Sequence, residues 1–391
     1  MFGWLLMSLL SLNEEISLNP ANRVRLVVVL GLCVFLSIAW SAEQLPLRLS
    51  DEAFWKLITD FSEPGGSFVS DNFVSNELAF HDVLTTLAEG RKPGGVYLGV
   101  GPEQNFTYIA ALMPKIAFIF DIRRQNMTEH LTYKALFEMS ADRAEFLSRL
   151  FSRPRPADLS KDSSAVVLFN AYQAVPPDPS LLDETLNAVK QRLVTVHGFK
   201  LTPDDETAIG YILRAFYTGG PNLTYSGPRI SGRTILPSYE ELMTDSDSNG
   251  KPRSFVATEE NFQIVQQLQK DNLIVPIVAD FGGPTAIRSV GEYLREHGAT
   301  VSAFYVSNVE QYLFMSDSWK RFYANVAMLP LDSKSVFIRP LINIGGGTYT
   351  ASPVFRSGFR WDTMLFPMEH LIAGVEAGTI QSYYDVIQTP N

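Results

Sequence analysis

The sequence predicts an α/β fold built on a Rossmann-like, mostly parallel, doubly wound sheet with a helical insertion. Two observations predict it. Short apolar runs (VYLGV at 96–100, IAFIF at 116–120, LIVPIVA at 273–279, VSAFYV at 301–306) alternate with helical patterns, as strands buried on both faces of a parallel sheet do. Each run also ends in a glycine turn or a polar residue, where such a sheet places its ligand-binding rim. A hydrophobic content of 46% with 19% charged residues fits a folded chain.

The first 41 residues stand apart. Arg23 and Arg25 precede the apolar run LVVVLGLCVFLSIA, followed by Trp40, Ser41 and Ala42. Positive charge, an apolar stretch and the small pair Ala39-x-Ser41 are the layout of a secretory signal cleaved before Ala42. The run is short for a membrane span, and Trp40 with the preceding polar stretch makes an uncleaved anchor the alternative. The expected location is periplasmic or extracellular, or anchored by this segment; without a working leader it is cytoplasmic. Cys33, the only cysteine, lies inside the run, so the mature chain holds no disulfide and no Cys-based metal site.

Residues 42–391 are expected to form a single domain. Ser50–Asp60 reads as a capped helix and Ser75–Glu89 as an amphipathic one. Val96–Val100 and Ile116–Phe120 are strands around a helix at Asn105–Leu112, and Met127–Phe151 is a long helix or helix pair. Ala165–Phe169 (AVVLF) reads as a further strand. The block from about 171 to 269, with helices at Leu181–Val194, Asp204–Tyr217 and Glu259–Lys270, reads as an inserted helical cap. The alternation then resumes with strands at Leu273–Ala279, Val301–Val306 and Ser335–Ile338 and helices at Thr285–Glu296 and Val309–Arg321. A helix near Met368–Val375 follows, in a less periodic tail.

Lys+Arg 32 against Asp+Glu 42 gives a net charge of −10, so nucleic acid meets repulsion, not a basic groove. The five histidines show no HxH or HxxxH spacing, and no metal site is expected. The expected partner is a small-molecule ligand, with membrane contact only through the N-terminal segment.

The strand ends supply the candidate site. Gly99 and Gly101 allow a tight turn and close backbone approach. Asp121 ends the next strand about 20 residues later, the distance at which a nucleotide-fold acid meets ribose hydroxyls. A dinucleotide fingerprint needs glycine at 104, where Gln104 stands, so a nicotinamide cofactor is disfavoured. Asp280 and the Ser307–Gln311 turn complete the rim.

These segments resemble the class I S-adenosylmethionine-dependent methyltransferase fold, whose first strand ends in a glycine turn and whose second ends in a ribose-binding acid. VSDNFVSNE, YLGVGPEQN, FDIRR, KALFEMSADRAEFLSRLFSR and YVSNVEQYL are also similar to an uncharacterised bacterial family described only as methyltransferase-like. The resemblance implies that Gly99, Gly101, Glu103, Asn105 and Asp121 hold S-adenosylmethionine or a related nucleoside. Tyr97 takes the place of the usual acid before the turn, leaving Glu103 as the candidate partner for the cofactor's ammonium. Transfer to an O or N acceptor would use Glu310 or Asp280 as general base, with Asn308 and Gln311 on the substrate rim. The alternative is an exported, non-catalytic binding or envelope protein that keeps this fold as a scaffold.

Overall fold

The computed structural model describes residues 44–89, 93–228, 236–342 and 361–388, all within one unit, Gln44–Asn391. The expected leader lies outside the described residues. The main sheet has six strands: β1 (Val96–Val100), β2 (Ile116–Asp121), β3 (Ile274–Val278), β4 (Val301–Tyr305), β5 (Val336–Ile342) and β6 (Trp361–Pro367). Their spatial order is β3-β2-β1-β4-β5-β6. All neighbours pair in parallel except β5 and β6, which are antiparallel. β1, β2 and β3 are buried at every position, which is why they read as continuous apolar runs.

Helices cover both faces. α1 (Asp51–Phe61) is capped by Ser50, whose hydroxyl accepts from Ala53 N. α2 (Gln104–Leu112) connects β1 to β2. Between β2 and β3 run α3 (Arg124–Met139), α4 (Arg143–Phe151), α5 (Ala165–Ala174), α6 (Pro179–Lys190), α7 (Pro203–Gly219), α8 (Tyr239–Thr244) and α9 (Glu259–Lys270). α10 (Ala286–Glu296) joins β3 to β4, α11 (Val309–Met315) and α12 (Trp319–Val326) lead to β5, and α13 (Met368–Glu376) follows β6. α9 packs on α2 and α3, while α10 packs on α1 and α12. The strand order steps in opposite directions from β1, and because parallel crossovers share one hand, such connections place their helices on opposite faces.

The structure corrects the sequence reading in several places. Ala165–Phe169 belongs to a helix, not a strand, because Ser164 caps α5 through Val167 N and leaves Val166 and Val167 half-exposed. Helical structure therefore fills the β2–β3 connection from Arg124 onward, earlier than the 171–269 insertion expected. Loops join its helices, and a two-stranded hairpin at Leu223–Thr224 and Gly227–Pro228 lies among them. Ser75–Glu89 is not one helix: a 3-10 turn at Ala79–His81 and a short helix at Leu84–Ala88 replace it. The side chains of Ser75 and Glu77 bond elsewhere. Val309–Arg321 is broken into α11 and α12 at Asp317, whose φ is 53°. The tail forms β6, which pairs with β5 along its length.

Candidate functional site

A cavity of about 600 Å³ opens where the carboxyl ends of β1, β2, β3 and β4 converge, at the point where strand order reverses between β1 and β4. Doubly wound sheets bind ligands in this crevice. Gly101, Asp121, Asp280 and Asn308 line it. Gly99, Glu103, Asn105, Glu310 and Gln311 do not.

Gly99 and Asn105 act on each other instead of on a ligand. Asn105 is fully buried. Its Nδ2 donates to the carbonyls of Val100, Gly101 and Pro102 at 2.9, 3.2 and 2.7 Å, and its Oδ1 accepts from Tyr97 Oη at 2.8 Å. A Cβ at position 99 would collide with that Asn105 amide and with the Tyr97 ring. The expected cofactor-binding glycine and amide are thus the staple that shapes the turn. Tyr97, standing where an acid was expected, is part of it.

Gly101 keeps its expected place. Its φ of 76° favours glycine, and a Cβ there would meet nothing within 4 Å. Its carbonyl accepts from His130 Nε2 at 2.8 Å, so the imidazole carries its proton on Nε2 and shows a bare Nδ1.

Behind the turn lies a buried polar cluster. Glu103 turns inward, away from the cavity, and accepts from Ser75 N at 3.3 Å through Oε1. Burial pushes its carboxyl up to about 8. Glu129, fully buried on α3, is pushed well above the usual carboxylate range by burial, against the attraction of Arg123. Burial also pushes His130 down to about 4. Glu103 Oε2, both Glu129 oxygens, both Asn126 amide atoms, His130 Nδ1 and the Tyr133 and Tyr239 hydroxyls find no partner among the described residues. Glu103 therefore cannot serve a ligand's ammonium from this position. The described residues contain no cluster of His, Cys, Asp and Glu able to hold a metal ion.

Asp121 lines the cavity but is not free. Its Oδ1 accepts from Arg123 N at 2.8 Å and Nε at 3.0 Å, and its Oδ2 from Nη2 at 2.7 Å. Both side chains are only 7% exposed. Arg123 also donates to the Asp71 carbonyl, tying the 62–78 loop to β2.

The two candidate bases separate. Glu310 is corrected: it is buried, accepting from Arg339 Nη2 at 2.9 Å and from Tyr323 Oη. It is the acid of an ion pair whose side chains are both 1% exposed, with no access to a substrate. Gln311 is likewise off the rim. Asp280 is exposed at the cavity and engaged by Gly282 N at 2.9 Å. Its turn is held from behind by Glu63, which accepts from Asp280 N, Thr285 N and Ala286 N.

Sequence reasoning placed Ser307 on the rim but missed Ser75 and Tyr305, its partners on the cavity's remaining polar wall. Ser75, Tyr305 and Ser307 line it, backed by buried Glu77 and Gln104. Phe68, Phe281 and Tyr312 supply aromatic surface. The stretches VSDNFVSNE and YVSNVEQYL carry Ser75, Glu77, Tyr305, Ser307 and Tyr312, but nothing in either shows that they meet.

A model of a family described as a domain of unknown function (DUF7790) matches residues 72–371. The chain belongs to this family. The family match covers the cavity's lining from Asn72 through Arg321 and leaves out Ser67 and Phe68. No curated protein matches the chain.

Proposed function

We propose that the protein is methyltransferase-like and binds S-adenosylmethionine or a related nucleoside in this cavity. One observation carries the reading: Gly101, from the turn after β1, and Asp121, from the end of β2, open onto the same cavity of about 600 Å³. That volume is within the range of small-molecule sites, and the aromatic walls suit a flat base. Gly101 lets backbone approach the ligand without a side chain between. Asp121 gives three lone-pair positions to Arg123, and a carboxylate offers about four, so one remains for a ribose hydroxyl.

The bound cofactor would supply an activated methyl group for an oxygen or nitrogen acceptor. The chain's part is to orient the acceptor and take its proton. Asp280 is the exposed carboxylate on the cavity and the general base of this reading; Asn308 is the neutral hydrogen-bonding group beside it on the rim.

A second reading is a non-catalytic binding or envelope protein that retains the fold as a scaffold. The pairing of Asp121 with Arg123 and of Glu310 with Arg339 favours it, since both carboxylates are held by arginines. Calorimetric titration with S-adenosylmethionine and S-adenosylhomocysteine tests the cofactor proposal. Saturable binding in the micromolar range or tighter supports it, and no heat with either ligand overturns it.

A further inference from the structure

We propose that Ser75, Tyr305 and Ser307 form a subsite for a positively charged amine, the primary ammonium of the cavity's ligand. This inference deepens the nucleoside proposal by assigning the group that its amino-acid end would meet.

The protons of three hydroxyls decide what the wall offers a ligand. A hydroxyl has one proton and two lone pairs. Ser307 Oγ donates to Glu77 Oε1 at 2.6 Å. Tyr305 Oη donates to the same oxygen at 2.9 Å, with Gln104 Oε1 at 3.2 Å. Ser75 Oγ donates to Gln104 Oε1. All three hydroxyl protons are therefore committed inward, Ser75 Oγ also accepts from Glu77 N at 3.1 Å, and what remains for the cavity is lone pairs. A ligand group that meets it must donate.

Charge sharpens the selection. Glu77 is 1% exposed and accepts from Ser307, Tyr305 and Gln104 Nε2, a set of donors that suits an ionised carboxylate. No cation pairs with it among the described residues. Burial nonetheless pushes its carboxyl upward, a cost that a cation on the other side of the hydroxyls would offset. The cavity's two arginines stand elsewhere. Arg123, at the end of β2, is held by Asp121, and Arg321, on α12, donates to the Gly282 carbonyl.

The backbone supports a built site. Ser307 has a φ of 48°, a conformation uncommon for serine, between the end of β4 and the start of α11. That conformation is kept where the surrounding structure fixes it, and it holds the hydroxyl between the cavity and Glu77.

The test compares two probes of similar shape and opposite charge, 3-phenylpropylamine and 3-phenylpropionate, by calorimetry on the full chain. The amine should bind at least tenfold more tightly. Ser307→Gly, which removes the hydroxyl and relieves the backbone, should weaken the amine fivefold or more, as should Glu77→Gln. Circular dichroism first establishes that both variants fold. Equal binding of the two probes, tighter binding of the carboxylate, or no amine binding at millimolar concentration overturns the inference. S-adenosylhomocysteine separates the two proposals. If it binds equally well to the Ser307→Gly variant and the parent, the nucleoside site stands and the ammonium subsite falls. If it fails to bind while the amine binds selectively, the nucleoside proposal falls and the subsite stands.

Discussion

Asp121 gives both carboxylate oxygens to Arg123, Oδ1 accepting from Nε at 3.0 Å and Oδ2 from Nη2 at 2.7 Å. The fork-on-carboxylate geometry and the burial of both side chains make this a structural pair before it is a ligand contact. Breaking one side leaves a buried charge alone, which typically costs about 3–5 kcal/mol. Asp121→Ala should therefore lower stability by about that much in urea denaturation, and the double variant Asp121→Ala, Arg123→Met should recover part of the loss. A loss below about 1 kcal/mol would contradict the pairing.

Glu103 predicts a pH dependence. Its carboxyl has an ordinary value of 4.5 and rises to about 8 in the folded protein because it is buried. Between those values the folded state keeps a proton that the unfolded chain has lost. Its contribution to stability is thus full below 4.5 and falls as pH rises toward 8, by at most about 5 kcal/mol. Glu129 adds a slope of the same sign, whereas His130, held neutral when folded, favours the folded state as pH rises from about 4 to 6.5. Glu103→Gln should be more stable than the parent at pH 9 and lose that advantage at pH 5. Urea midpoints at the two pH values check this, and an unchanged pH slope would refute it.

The two turn glycines should respond differently. Gly99→Ala places a Cβ into Asn105 and Tyr97, so it should disrupt the staple and cost more than about 2 kcal/mol. Gly101→Ala meets open space but must hold a φ of 76°, costing about 1–2 kcal/mol. Thermal unfolding ranks the pair. If Gly101→Ala proved the more damaging, the division between a packing glycine and a cavity glycine would be wrong.

Glu310 and Asp280 should also separate. Glu310→Gln weakens a buried ion pair with Arg339 and should cost several kcal/mol, about 3–5 if the arginine is left uncompensated. Asp280→Asn sits at an exposed position and should change stability by no more than about 0.5 kcal/mol. Differential scanning calorimetry of the two variants side by side decides it, and equal losses would contradict the assignment of Glu310 to the core.

A cleaved leader predicts a defined N-terminus. The protein recovered from the cell envelope or medium should begin at Ala42, as read by N-terminal sequencing. An intact N-terminus in a cytoplasmic fraction would count against a cleaved leader. No described helix is long and apolar enough to cross a membrane.

What the sequence shows and hides follows from separation along the chain. β1 to β3 are readable because a strand buried on both faces has no polar side to interrupt its run, and in β4 only Ser302 does. AVVLF at 165–169 misleads by the same rule: five apolar residues carry no period, and the Ser164 cap decides for helix. At the site, Gly101, Asp121, Asp280 and Asn308 are legible because topology alone puts strand ends on the rim. Their occupancy is not. The arginine that engages Asp121 is two residues away, yet the acid reads as free. Ser307 and Glu77, 230 residues apart, meet only in the fold. Glu310, one residue before Gln311 on α11, faces Arg339 on β5 because a helix turns its neighbours to different sides.

The most direct measurement is a crystal structure of the protein grown with saturating S-adenosylhomocysteine. The account predicts ligand density in the cavity, with the ribose near Asp121, backbone contact at Gly101 and the ammonium against Ser307 and Tyr305. A cavity without ligand at saturation, or a nucleoside bound elsewhere on the chain, would contradict it.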